Sequence, residues 1–102
     1  MKITQRQKIL DHLEENNHIG ESNWWFARHI CIDYRARISE LRRLCKENND
    51  MPVHIMKVHI IGSLNVYWIV PAEYTPDIVA TAEKEIKKQW LRLYETGALD
   101  ER

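Results

Sequence analysis

Apolar side chains recur every three or four positions in four stretches of the chain, and this period predicts four helices, over 4–16, 22–29, 33–48 and 77–94. Between the third and fourth helices, two segments rich in β-branched residues flank the turn sequence GSLN at 62–65. These segments, 53–61 and 66–70, predict a β-hairpin. The pattern as a whole predicts an α+β fold.

The helix over 4–16 is expected to bury Ile9, Leu10 and Leu13. Thr4 and Gln7 have the spacing of a capping box, in which each side chain bonds the backbone N–H of the other residue. Asn and Gly residues follow from position 16 onwards and end the helix. We interpret this segment as a scaffold.

The helix over 22–29 places Phe26, Ala27 and Ile30 on one face, and the small Ala27 is expected where this helix crosses the next. Trp25 falls opposite that face and Trp24 falls on its flank. Two alternatives stay open for these tryptophans. Either a later segment covers them, or they form a surface for a protein partner, since tryptophan is enriched at interfaces.

The helix over 33–48 has two unlike faces, and Asp33 is expected to cap its first turn. The buried stripe is predicted to contain Tyr34, Ile38, Leu41, Leu44 and Cys45. The outward face combines small and cationic side chains, namely Arg35, Ala36, Ser39, Arg43 and Lys46, with Arg42 at its margin. Such a face can lie close to a DNA duplex and reach its phosphates and base edges.

The spacing of Phe26, Ala27, Ile30 and Ile32, followed by RISELRRL at 37–44, resembles the helix-turn-helix core of small winged-helix DNA-binding proteins of phages and bacterial regulators. The resemblance covers residues 4–70 and implies three helices plus a hairpin wing. The helix over 77–94 is additional. The chain departs from the family pattern in two places. Cys31 stands where the family usually has glycine. Residues 45–52 stand where the family usually has a Gly-containing turn before the wing.

In the predicted hairpin, alternate side chains place Tyr67 and Ile69 on the core face and Val66 and Trp68 on the other. The turn carries no Lys or Arg, and the only cationic side chains nearby are those of Lys57 and His59. We therefore interpret the wing as mainly structural.

The C-terminal helix carries an apolar stripe of Ile78, Ala82, Ile86, Trp90 and Leu93. It either folds back on the domain or pairs with a second copy. We expect residues 1–75 to form the winged-helix domain and 76–102 to serve packing or dimerisation. A homodimer is expected, with Ile86, Trp90 and Leu93 contributing to its interface.

Composition sets broad limits on the function. The 102 residues suit one domain, and no apolar run reaches the ~20 residues that a membrane helix needs, so a cytoplasmic protein is expected. The formal net charge is zero, so any DNA contact must come from a local patch. The spacing of Cys31 and Cys45 suits neither a disulfide nor a metal site. No cofactor is expected. The sequence shows no phosphate-binding loop and no catalytic motif, so enzymatic activity is not expected.

Two functions follow from these patterns. The first is sequence-specific binding of double-stranded DNA by a small transcriptional or phage-encoded regulator. In it Arg35, Ser39 and Arg43 face bases, beside the small Ala36, while Arg28, Arg42 and Lys46 contact phosphates. The alternative is a protein-interaction module on the same fold, in which Trp24, Trp25 and Trp68 bind a host or replication protein.

Overall fold

The computed structural model describes residues 4–47 and 53–101. In chain order these residues form α1 (Gln5–Glu15), β1 (Glu21–Ser22), α2 (Asn23–His29), α3 (Tyr34–Glu47), β2 (Val53–Ile61), β3 (Leu64–Pro71), α4 (Pro76–Thr96) and a short 3-10 helix (Ala98–Glu101). The fold is therefore α+β, with four α-helices and one three-stranded antiparallel sheet in the described chain. All four predicted helices and both strands of the predicted hairpin are present.

The sheet has the strand order β1-β3-β2, so β3 is the central strand and β2 is an edge strand. β3 is buried on both faces. Tyr67 and Ile69 pack with α1, α2 and α3, whereas Val66 and Trp68 pack with α4. The predicted division of the hairpin's side chains between two faces is confirmed, and the second face is covered by α4.

Helix α1 begins at the predicted cap, where the Thr4 hydroxyl accepts from the Gln7 backbone N–H at 3.1 Å. The Gln7 side chain donates from Nε2 to the Asp11 carboxylate one turn later, at 2.8 Å. A carboxylate four residues ahead on the same face is a stronger acceptor than water. The predicted stripe of Ile9, Leu10 and Leu13 is buried.

The two-residue segment Gly62-Ser63 forms the hairpin turn, which is shorter than predicted. Leu64 and Asn65 already belong to β3. Leu64 is fully buried in the α4 side of the core, so burial of its side chain favours continuing the strand. Gly62 has φ +57°, a conformation that suits the tight turn between these strands.

Helix α2 begins after Ser22, whose hydroxyl accepts from the Trp25 backbone N–H at 3.1 Å. Phe26 is buried as expected, but Ala27 is exposed, so the prediction that Ala27 lies at a helix crossing is wrong. A helix of seven residues makes only about two turns. Because so few apolar residues repeat within it, their spacing could not identify which side of α2 faces the core. No described residue other than glycine has a positive φ, so Cys31 follows the turn without a left-handed backbone.

Helix α4 is longer than predicted. It lies across the face of the hairpin that is opposite to α3. It begins at Pro76 after the Thr75 cap and ends at Gly97, which adopts φ +76°. Ile86 and Trp90 are buried against the sheet, while Ile78 is half exposed. The Trp90 indole also donates to the Ile19 carbonyl at 2.6 Å, which joins α4 to the segment between α1 and β1.

Gly20 determines how closely that segment approaches the sheet. Its φ is +76°, and a Cβ atom there would lie 2.5 Å from the Tyr67 carbonyl oxygen and 2.9 Å from a methyl group of Val66. Only glycine fits both the backbone conformation and the space. β1 can therefore pair with β3, with Glu21 opposite Tyr67.

Candidate nucleic-acid interface

The buried side of α3 attaches the candidate interface to the core. Tyr34, Ile38, Leu41 and Cys45 are buried, as predicted. Leu44 was assigned to the same stripe but is 37% exposed. At helical spacing it falls to one side of the line through Ile38, Leu41 and Cys45, so it is only partly covered.

The outward side of α3 presents the cationic side chains to solvent. Arg35, Arg42, Arg43 and Lys46 are exposed together with Ser39, while Ala36 is half-buried. This exposure is what a nucleic-acid contact requires. The base and phosphate contacts assigned to these side chains stay predictions.

Four of these residues form a single line along the helix, which we call the α3 stripe: Arg35, Ser39, Arg42 and Lys46. Their spacing of four, three and four residues keeps them on one side of α3. This side faces the sheet, because Arg42 donates from Nε to the Ile55 carbonyl of β2 at 3.3 Å and its guanidinium lies 5.9 Å from the centre of the Tyr67 ring. The sequence had placed Arg42 only at the margin of the face.

The hairpin adds a cation to this region. Lys57 pairs with Tyr67 across β2 and β3, and its side chain is exposed on the same sheet face as Ile55. The sequence led us to interpret the wing as mainly structural. The period-two spacing of Ile55 and Lys57 is the signal that could have placed Lys57 beside α3.

The opposite flank of α3 carries ion pairs. Arg37 lies 3.2 Å from Glu40 and 3.8 Å from Asp33, and Glu40 also lies 3.6 Å from Arg6 of α1. Arg43 borders this flank, in a groove that Arg6, Arg37 and Glu40 also line. Within the described residues, neither Arg43 nor the cations of the α3 stripe form an ion pair, so the stripe carries unpaired positive charge on the side that faces the hairpin.

Two buried tyrosines support the base of the α3 stripe. A hydrogen bond to the Tyr34 side chain, whose ring centre lies 5.9 Å from the guanidinium, raises the pKa of Arg35. Burial raises the pKa of Tyr67, and neighbouring Tyr34 raises it further, although Arg42 and Arg35 act in the opposite direction. Arg35 therefore stays cationic and Tyr67 stays neutral at neutral pH.

Arg28 and Trp24 occupy the exposed side of α2, four residues apart. Arg28 lies in the last turn and is free to meet a phosphate, as predicted from the sequence. Trp24 is 43% exposed. The assignment of Arg28 to the same interface as the α3 stripe stays a prediction.

Trp25 does not point away from the molecule as predicted. Its ring stacks on His12 of α1, with centroids 3.7 Å apart, and meets Phe26 edge-on at 5.6 Å. The segment that covers it is therefore α1, which precedes it in the chain. Trp25 is half-buried and packs against the core, which favours the alternative that another segment of the chain covers it; its assignment to a partner interface stays a prediction.

The sequence reasoning missed the polar pair that lies behind Trp25. Glu21 is 1% exposed, its carboxylate lies 2.6 Å from His12 Nε2, and it accepts from the Ser22 backbone N–H at 3.0 Å. A buried carboxylate needs such partners. No spacing rule in the sequence connects His12 to Glu21, because they belong to different elements.

The remaining aromatic candidates are also buried. Trp68 is 2% exposed and Trp90 is fully buried within the chain. Ile86 and Trp90 therefore cannot contribute to a dimer interface of the folded chain, and Leu93 is half-buried against the same cluster. A homodimer stays a prediction, without these two residues.

No family model, curated protein or solved structure matches this chain. In the described part of the chain, no group of three His, Cys, Asp or Glu side chains is placed to hold a metal ion. None of the helices described has the length and apolar character needed to cross a membrane.

Proposed function

We propose that the protein binds double-stranded DNA through α3. The observation that supports this most is the α3 stripe, whose three exposed cations have no acidic partner within 4–47 and 53–101 and lie on the side of α3 that faces the hairpin, where Lys57 is also exposed. The exposed Arg43 adds a fourth cation on the same helix. Phosphate contacts from such side chains position a protein on a duplex, and base contacts then give specificity.

The side chains of α3 suit these two tasks. The major groove of B-DNA admits one α-helix, and the small Ala36 and Ser39 allow close approach. Arg43 can bond guanine through two parallel hydrogen bonds, whereas Lys46 supplies a point charge for a phosphate. Arg42 is positioned by its bond to Ile55, which leaves its two terminal amino groups for a phosphate oxygen.

The arrangement of the elements is compatible with a winged helix, which is the fold that we propose. The order is helix, strand, two helices and a hairpin, and β1 completes a three-stranded sheet in the order β1-β3-β2. In this proposal α3 is the recognition helix and β2 and β3 form the wing. α4 is an addition that covers the other face of the sheet.

The distribution of charge implies that the DNA affinity depends strongly on salt concentration. The chain has no net charge, so the attraction to DNA must come from the local cluster on α3 and β2. Contacts to phosphates release counterions, and the logarithm of the binding constant then falls linearly with the logarithm of salt concentration. A regulator of this kind relies on base contacts for affinity at physiological salt.

Selection from a random-sequence duplex pool, followed by a salt titration of the selected duplex, tests the proposal. We expect one enriched motif and a slope that reports several phosphate contacts. The double substitution Arg43→Ala/Lys46→Ala should abolish enrichment, while Lys88→Gln/Arg92→Gln, which removes two exposed charges from α4, should not. The absence of any enriched motif, with binding unaffected by Arg43→Ala/Lys46→Ala, would overturn the proposal.

A second candidate function is binding of a protein partner, and one observation favours it. Trp24 remains 43% exposed beside Arg28, and tryptophan and arginine are enriched where binding energy concentrates. Trp24→Ala separates the two functions. It should leave affinity for the selected duplex unchanged if α3 is the interface.

A further inference from the structure

We propose that α4 carries a second contact for the DNA backbone, on the far side of the hairpin from α3. This inference rests on the proposed function and extends it to a part of the chain that the winged-helix resemblance does not cover. The contact is formed by Lys84 and Lys87 of α4 together with the outer edge of β2.

A groove of about 390 Å³ lies between α4 and β2, and we call it the edge groove. It is lined by Val58, His59, Ala80, Glu83, Lys84 and Lys87. Two ammonium groups face one carboxylate there, so the groove is cationic on balance even when His59 is neutral. The His59 ring is held at the hairpin turn, with Nε2 2.8 Å from the Gly62 carbonyl oxygen.

The lysines of the edge groove are available to a ligand. Lys84 and Lys87 are exposed, and none of the ion pairs within 4–47 and 53–101 includes a residue of α4. An exposed ammonium gains little from distant surface charges but gains from a phosphate, which releases a condensed counterion. The groove therefore suits an anionic backbone.

The edge groove continues the cationic surface of α3 around the edge of the sheet. β2 is an edge strand, with α3 packed on one face of the hairpin and α4 on the other. Along this path the exposed cations are Arg42, then Lys57 on β2, then Lys84 and Lys87. The longest dimension of the protein is 39 Å, close to the length of one turn of B-DNA, and the inference requires one duplex to contact both surfaces.

Two cations of α4 outside the edge groove supply a control. Lys88 and Arg92 are also exposed and lie one and two turns after Lys84, but neither lines the edge groove. Lys84→Gln/Lys87→Gln and Lys88→Gln/Arg92→Gln thus remove the same charge from the same element. A difference between them reports position rather than net charge.

The experiment measures the affinity of full-length protein for its selected duplex, about 24 base pairs or roughly two helical turns long, across a salt series. Lys84→Gln/Lys87→Gln should lower affinity roughly tenfold at about 0.1 M salt and reduce the salt slope by about two units. The control pair should change affinity by less than about twofold. Circular dichroism confirms that both variants are folded.

Each remaining outcome counts against the inference. If the two pairs weaken binding equally, only net charge matters and the edge groove is not a contact. If neither pair weakens binding while Arg43→Ala/Lys46→Ala does, α3 binds DNA and the α4 contact is wrong. If the parent protein binds no duplex, the proposed function fails and this inference fails with it.

Discussion

Arg42 donates its Nε–H to the carbonyl oxygen of Ile55 at 3.3 Å, so the α3 stripe is joined directly to the edge strand of the sheet. This bond fixes the orientation of a long, exposed side chain and satisfies an edge carbonyl that has no partner strand.

Replacing Arg42 with methionine tests this link, because methionine keeps the apolar stem and loses the donor. We expect Arg42→Met to lower the free energy of unfolding by about 0.5–1 kcal/mol. Lys46→Met on the same stripe is the control and should change it by less than about 0.5 kcal/mol. Urea unfolding measures both, and equal effects would show that the Ile55 bond contributes no stability.

Arg43 and Lys46 should differ in what they contribute to DNA binding. Arg43→Ala is expected to cost about 1–3 kcal/mol of binding to the selected duplex and to relax preference at one base pair. Lys46→Ala should weaken all sequences alike and reduce the salt slope by about one unit. Competition titrations with single-base variants of the duplex distinguish these effects. Unchanged affinity in both variants would show that α3 is not the recognition helix.

The two adjacent tryptophans of α2 should respond differently to truncation. Trp25 stacks on His12 and packs against the core, so Trp25→Ala should destabilise the fold by about 1–3 kcal/mol. Trp24→Ala, at a position that is 43% exposed, should cost less than about 1 kcal/mol. Thermal unfolding gives the comparison. The reverse order would favour the alternative in which Trp25 belongs to a partner surface.

Trp90 is expected to act in the fold of one chain and not in association. Trp90→Phe loses the bond to the Ile19 carbonyl and part of a fully buried ring, and should cost about 1–3 kcal/mol of stability. Ile78→Ala, on the half-exposed side of α4, is the control and should cost less than about 1 kcal/mol. Sedimentation at micromolar concentration tests the predicted homodimer separately. The protein concentration at the midpoint of the monomer–dimer equilibrium should be the same for Trp90→Phe as for the parent.

Stability should fall at alkaline pH partly because of Tyr67. Burial raises the pKa of Tyr67, so the folded chain holds this proton more tightly than the unfolded chain does. The resulting stabilisation is complete below the unfolded pKa of about 10 and is lost as pH rises through the folded pKa. Urea midpoints should therefore fall less steeply above about pH 10 in Tyr67→Phe than in the parent. Burial also raises the pKa of Cys45, and that contribution remains in both proteins.

Local patterns of the sequence determined the elements of this protein. Apolar period located α1, α3 and α4, and the Thr4 cap located the start of α1, as the Thr4 hydroxyl bond and the buried Ile38 and Leu41 show. Alternation in the hairpin identified which side chains of β3 share a face. These features depend on interactions within about four residues or across one hairpin, so the residues involved are visible together in the chain.

Tertiary structure alone decided which of those faces remain free. Trp25 is covered by His12, Glu21 bonds His12, and Trp90 donates to Ile19 across 71 positions of the chain. Leu44 remains partly exposed for the opposite reason, because no element covers it fully. Burial depends on segments that are distant in sequence, and an apolar stripe does not specify which segment packs against it. For the same reason the cationic edge shared by α3, β2 and α4 emerged only when the sheet placed its strands in order.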